Sequence, residues 1–550
     1  MTINQGIKPR ILSIAELVII IGLACVPLFV SFPYRVNIFL SWEGAYRISE
    51  GQLPFRDFGT PLGGMYWVIP GIFFKIFGTQ LITLVKAQVF INIISGLAFR
   101  SILKSVKLPD TFRLVAVLLY CVSFSFFNFW PWYNHTVIVY EFIGLAFLLK
   151  ALTGNNSSSG KIGWLLLAAF FTVCSFLTKQ DAGAMAFILA VMLLGYQLLA
   201  NRDWKPMAIY IGGFIVILVL FILSFKQYDF GYWFNHGQAP HSARISLMEI
   251  AFEFLEYTQW IKFYLFVIVL ILFFRFRSIS EIWKNNEEMF FLLLTVGILG
   301  QAAVFQVTSY TPPDNNIFFH AFALAYIFYQ LTALVPSAAK KNLFPIVLSM
   351  GVLLWWSGVF WKYIQRLAHK FIPEETATVS SAGENLVNRK TYMIRPVDSS
   401  EVEMTKWVYS GLKSFEKISM PPSTVEGMNR LMKMDIVKNG KELRVLNMTE
   451  LTPLAVEIPY KLEKGSHYPL WNHLGVAMFN KQAEMFEKRI INNDYDIVLF
   501  EYIPTLNNFY PFRVRDTLIS HYQKVDSFMA PRRGDTKGVI EVFVKSVSQP

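Results

Sequence analysis

Residues 206–224 read PMAIYIGGFIVILVLFILS, with no charged side chain from end to end. A helix needs about twenty such residues to cross a hydrocarbon core of roughly 30 Å. The stretches around 13–32, 80–99, 111–129 and 344–361 are of similar length and hold few charges. Counted in this way, roughly eleven apolar segments fill residues 13–362.

The whole chain agrees with that reading. Its 550 residues are 54% hydrophobic and 16% charged, where soluble globular chains have about 25% charged. Mean hydropathy is +0.41. The net charge of +12 does not point to nucleic acid, because much of the excess lies in short loops between apolar segments. The first segment reads as a retained helix, since no convincing small-residue cleavage site follows it. Cys25, Cys121 and Cys174 all fall inside apolar segments, which points to helix packing and leaves the tail without a disulfide framework.

Charge then sets an expected topology. Lys8 and Arg10 precede the first helix. Arg100, Lys104, Lys107 and Arg113 form the next basic cluster, and Lys150 with Lys161 brackets a Gly/Asn/Ser loop. Arg202 with Lys205, Arg275 with Arg277 and Lys284, and Lys340 with Lys341 complete the series. Basic short loops face the cytoplasm, and these clusters recur at every second loop if residues 62–77 lie along or dip into the outer surface. Gly63-Gly64 and Pro70-Gly71 interrupt that stretch, as a re-entrant or interfacial piece would be interrupted. The outer side then receives a large first loop at about 33–79, smaller loops, and everything after the last helix. The expected fold is a polytopic α-helical membrane protein with about eleven transmembrane helices and a C-terminal extracytoplasmic α/β domain. Its parts are a membrane module at 1–362, a linker at 363–400 and a soluble domain at 401–550. In that domain 443–447, 496–500 and 539–544 read as strands, and 401–416 and 475–490 have helical spacing.

The polar residues of the outer side form several constellations. The first loop begins Ser41-Trp42-Glu43-Gly44-Ala45-Tyr46-Arg47 and continues Glu50-Gly51-Gln52-Leu53-Pro54-Phe55-Arg56-Asp57-Phe58-Gly59. It ends with Gly63-Gly64 and Phe74-Lys75-Ile76-Phe77-Gly78. This order resembles the GT-C superfamily of polytopic glycosyltransferases, which includes protein mannosyltransferases and aminoarabinose transferases. Bacterial members commonly carry an acidic dipeptide followed by Gly, then a Gly-x-Pro-Tyr/Phe-Arg-Asp-Phe stretch, then Lys-x-Phe-Gly. The chain has one extra residue between Gly51 and Pro54, and Trp42 where the family often has Asp.

The resemblance implies a donor sugar linked to a polyprenyl phosphate and an acceptor glycan, lipid or protein on the outer side of a bacterial cytoplasmic membrane. The usual reaction inverts the anomeric centre and needs a carboxylate to take the acceptor hydroxyl proton. With the Asp missing, that role falls on Glu43, with Asp57 as the fallback. The plainer alternatives are a Glu43–Arg47 pair four residues apart on a helix and a loop-bracing Arg56–Asp57 pair.

Three cations are candidates for the donor phosphate. Lys179, in Thr178-Lys179-Gln180-Asp181-Ala182-Gly183, resembles a recurring family element, and its neighbour Asp181 suits donor or acceptor hydroxyls; a short interfacial turn is the alternative. Lys86, near the outer end of the second long helix, otherwise snorkels to the interface. Arg56 has the fork geometry that phosphate oxygens favour. Trp132, Tyr133, Asn134 and His135 form an aromatic cluster that either flanks a saccharide or belongs to the interfacial belt. His236 and Asp314 lie in two further outer loops as substrate-side candidates. No zinc spacing is present, and the resemblance implies a reaction that much of the family runs without a metal, so no cofactor is expected, with a divalent ion left as an alternative. The rivals are a transporter or flippase of lipid-linked saccharides, which requires mid-membrane ionisable residues, and a non-catalytic membrane assembly protein. Glu141 and Glu253 read as lying near segment ends or in loops, which disfavours the transporter.

Overall fold

The computed structural model describes residues 9–35, 38–125, 128–154, 157–224, 247–276, 278–309, 318–334, 343–358, 360–361, 364, 406–458, 460–465, 468–470, 472, 478–505, 510–532 and 536–546. Seven helices there are long and apolar enough to cross a membrane: Pro9–Phe29, Leu81–Ser105, Tyr133–Thr153, Ser158–Phe176, Gln180–Asn201, Lys205–Leu223 and Asn286–Val307. Ile250–Glu256 and Gln259–Arg275 together make an eighth if they form one bent span. The remaining apolar segments form shorter helices, Asp110–Ser123, Phe319–Leu334 and Phe344–Trp355. At 1.5 Å per residue the first of these is about 21 Å long, short of a hydrocarbon core. Met65–Phe77 is also apolar and short, about 20 Å by the same rise.

Several residues of the basic clusters hold helices together. Glu16, fully buried in the first helix, accepts from Arg113 Nε at 2.8 Å and also pairs with Arg100. Glu288 is likewise buried and is held by Arg275 at 3.2 Å and by Tyr326 at 2.7 Å. Each acid ties together three helices through a charge that water does not reach. Glu141 also departs from its expected place. It lies inside Tyr133–Thr153, buried, and Gln301 Nε2 donates to it at 2.8 Å across to Asn286–Ser309. A helix-end position was expected because the residues around Tyr133 read as loop; they are the first helical turn.

The first loop and the tail are zipped together. Phe32–Pro33 (β1) pairs in parallel with Ile418–Met420 (β3), which also pairs antiparallel with Val408–Tyr409 (β2). A second sheet has the order β4-β5-β7-β6, formed by Val445–Met448, Ile497–Tyr502, Val539–Lys545 and Tyr522–Met529. Here β4 and β5 are parallel and the other pairs antiparallel. The three expected strands are present, and the expected 475–490 helix appears as Phe479–Ile491. The helical reading of 401–416 fails over its described part: residues 406–416 hold β2 and a 3-10 turn, Lys413–Phe415. Trp407 is buried there in a hydrophobic cluster with Trp42 and Leu81 of the membrane module, and edge pairing with β3 replaces helix formation.

Candidate functional site

The helix Ile38–Ser49 carries the centre of the site. Trp42 and Ala45 anchor it in the cluster shared with the tail, and Trp42 Nε1 donates to Thr79 O at 2.8 Å. Gly44 is required by close packing: a Cβ there would stand 2.0 Å from the Trp67 ring. Trp67 in turn donates from Nε1 to Leu40 O at 2.8 Å. Gly63 plays the same part further along the loop, where a Cβ would meet Leu177 O at 1.7 Å. Backbone bonds from Gly63 N to Thr178 O and from Met65 N to Leu177 O, at 3.2 and 3.3 Å, fix the loop against the Lys179 turn.

Glu43 and Arg47, four residues apart, share one face of this helix. Arg47 Nε and Nη2 both donate to Glu43 Oε1, at 2.9 and 2.7 Å. Arg47 Nη1 donates to Gln52 Oε1 at 2.8 Å and to Glu463 O at 2.7 Å. Its guanidinium lies between the rings of Phe58 and Tyr468, 5.3 and 5.2 Å from their centroids. Glu43 Oε2 accepts no hydrogen bond among the described residues. Burial raises the Glu43 pKa above the ordinary carboxylate range, although the charge of Arg47 and its hydrogen bonds oppose the rise.

Two narrow clefts open beside Glu43. Glu43, Asn447, Thr452 and Tyr468 line both. The acid therefore stands where the two spaces meet, between the first loop and the tail. On the tail side, Asn447 Oδ1 accepts from Thr449 Oγ1 at 2.7 Å and its Nδ2 donates to Leu451 O at 3.2 Å. That turn presents Thr452, whose buried Oγ1 has no partner among the described residues. The turn is pinned from behind: Arg532 is buried between Glu450 and Glu501, Glu501 Oε2 accepts from Glu450 N at 2.8 Å, and the Tyr34 hydroxyl donates to Glu450 O.

The other expected residues fall into separate places. Asp57 Oδ2 accepts from Leu53 N at 2.8 Å and Arg56 Nε at 2.9 Å, an arrangement that braces the turn. Partial burial works against the Asp57 carboxylate, but the Arg56 and Leu53 hydrogen bonds outweigh it and lower its pKa. Neither Arg56 nor Asp57 lines the two clefts. Lys179 is buried, bonds to Asp181 at 3.2 Å, and lies 4.4 Å from the Phe305 ring centroid and 6.0 Å from that of Tyr133. Lys86 sits 5.3 Å from the Phe77 ring centroid. The Trp132 and Tyr133 rings lie tilted at 37° with centroids 4.5 Å apart, His135 meets Phe124 edge-on at 5.7 Å, and buried Asn134 Oδ1 has no partner among the described residues. His236 and Asp314 lie outside the described residues.

An aromatic run links the Lys179 group to the Glu43 group. Tyr133 meets Tyr66 at 5.9 Å, Tyr66 meets Trp67 at 4.4 Å, and Trp67 meets Phe58 at 5.8 Å, beneath Arg47. Sequence reasoning named Arg47 only as a partner for Glu43 and missed Thr452, Tyr460, Tyr468 and Arg532 altogether. Arg47 was reachable from its spacing. The tail residues carried no local signal: Thr452, Tyr460 and Tyr468 matter through their place beside a helix some four hundred positions earlier, and Arg532 through its pairing with Glu450 and Glu501.

No family model and no curated protein matches the chain. Among solved structures it is similar to ArnT from Cupriavidus metallidurans in the apo state, with a TM-score of 0.47 and 12% identity over 96% of this chain and 97% of that one. The same protein bound to undecaprenyl phosphate gives 0.45 and 12% over the same shares. The Archaeoglobus fulgidus oligosaccharyltransferase tethered with an acceptor peptide gives 0.44 and 13%, over 97% of this chain and 74% of that one.

Proposed function

We propose that the chain is a GT-C-type membrane glycosyltransferase. It moves a sugar from a polyprenyl-phosphate donor to an acceptor on the outer side of a bacterial cytoplasmic membrane. The observation that carries this reading is Glu43: a buried acid that lines both clefts, with Arg47 bonded to one carboxylate oxygen and leaving the other. The order of motifs around it supports the same reading.

In the reaction an acceptor hydroxyl oxygen attacks the anomeric carbon of the donor. The bond from that carbon to the phosphate oxygen breaks on the opposite face, and the polyprenyl phosphate leaves with the electron pair. Glu43 Oε2 takes the hydroxyl proton as the new bond forms. The anomeric centre inverts. Lys179 is the preferred phosphate partner, being a buried ammonium beside Tyr133; positive charge there offsets the charge that grows on the leaving group. Lys86 and Arg56 are the second-rank partners, and Asp57 is the fallback base. The step requires no metal ion.

The test is donor consumption by the purified chain in detergent. A panel of polyprenyl-phosphate sugars is offered with a membrane extract as acceptor, and free polyprenyl phosphate is measured beside the glycosylated product. Release of both at equal rates supports the reading; no consumption of any donor opposes it. The placement of Glu141 inside a candidate span favours a second reading, a flippase of lipid-linked saccharides. Movement of labelled lipid-linked sugar across liposomes, lost in Glu141→Gln, would support that alternative.

A further inference from the structure

Glu16, Glu43 and Glu288 are buried acids, and each is met by an arginine. Glu141 is buried as deeply, 1% exposed, and is met by an amide instead: Gln301 Nε2 donates to its Oε2 at 2.8 Å. The second oxygen of each side chain, Glu141 Oε1 and Gln301 Oε1, is buried and has no partner among the described residues. An ionised carboxylate bonded only by a neutral amide is costly inside a membrane span, and two acceptor oxygens cannot bond to each other. A carboxylic acid and a primary amide are both planar forks with a donor side and an acceptor side. One proton on Glu141 Oε1 supplies the donor that Gln301 Oε1 lacks.

We infer that Glu141 carries a proton and forms a neutral acid–amide pair with Gln301, and that this clamp makes both of them positioning residues for Lys179. Tyr133 opens the helix that holds Glu141, Tyr133–Thr153, and Phe305 lies one turn after Gln301 on Asn286–Ser309. Their ring centroids stand 6.0 and 4.4 Å from Lys179 Nζ. Glu141 lies eight residues beyond Tyr133, about 12 Å along the helix. The pair therefore fastens together the two helices that wall the ammonium group. The neutral pair stands apart from the transferase reading, and its consequence for transfer rests on that reading.

The experiment combines infrared spectroscopy, thermal unfolding and transfer, on the full chain in detergent at neutral pH. The difference spectrum between wild type and Glu141→Gln is expected to hold the carbonyl stretch of a protonated carboxyl, shifted by exchange into heavy water. Glu141→Gln keeps a fork with a donor and an acceptor side. Its unfolding temperature is expected to be unchanged, and its transfer rate to stay within about twofold of wild type. Glu141→Leu leaves Gln301 unpaired, and is expected to unfold at a lower temperature and to transfer about tenfold more slowly well below that temperature. Glu141→Leu combined with Gln301→Leu removes both forks and is expected to regain stability. A difference spectrum without that band, a Glu141→Gln that unfolds as early as Glu141→Leu, or undiminished transfer by Glu141→Leu overturns the inference. The band and the stability pattern without any donor consumption would remove the transferase reading and leave the neutral pair standing. Transfer by the wild type without the band would do the reverse.

Discussion

Arg47 reaches Glu43 through a single carboxylate oxygen. Nε and Nη2 both donate to Oε1, and the residue as a whole lines both clefts. The arginine thus orients the acid without occupying the oxygen that would take a proton. Arg47→Lys keeps the charge and loses the fork. Transfer is expected to fall by about tenfold to a hundredfold, with acceptor KM little changed, in steady-state kinetics.

The raised pKa of Glu43 has a sign that can be checked. A base works in its deprotonated form, so the rate is expected to rise with pH through a limb above the ordinary carboxylate range. Removing the opposing cation in Arg47→Met disfavours the carboxylate further and moves the limb to higher pH. A pH–rate profile of both proteins measures it; a limb that moves down contradicts the assignment.

Gly44→Ala places a Cβ 2.0 Å from the Trp67 ring. Overpacking of this kind costs about 1–3 kcal/mol, and here it pushes on the helix that holds Glu43. Thermal unfolding is expected at a lower temperature, together with lost transfer. Gly22→Ala, with open space around its Cβ, is the control.

Arg532 separates two buried carboxylates behind the Thr452 turn. Arg532→Met leaves them facing each other, at a cost of about 3–5 kcal/mol. Limited proteolysis is expected to release the tail faster than in the wild type.

The proposed chemistry uses carboxylate and ammonium groups alone. Prolonged EDTA treatment is expected to leave the rate unchanged, and a loss restored by a divalent ion would count against that mechanism.

The sequence shows what is local. Uncharged runs of helix length disclose the membrane module, and a spacing of four discloses the Glu43–Arg47 pair. Gly44 and Gly63 stand out as motif letters, but their reason appears only when Trp67 and Leu177 come against them. Residues 406–416 were misread because periodicity cannot show that Trp407 joins a core with Trp42. Strand β6, Tyr522–Met529, was missed because half of its residues are polar and half are exposed, as in an edge strand. On the tail side, Asn447 stands at the end of an expected strand, where ligands often bind, whereas Thr452 acquires meaning only beside a distant helix.

The central claim is that Glu43 takes the acceptor proton. The direct measurement is the single-turnover transfer rate of Glu43→Gln beside wild type, in detergent, with whichever polyprenyl-phosphate sugar the wild type consumes. The substitution keeps the shape of the side chain and removes the base. A loss of about a hundredfold or more, with donor binding retained, is the result this reading predicts. Equal rates would contradict it and turn attention to Asp57.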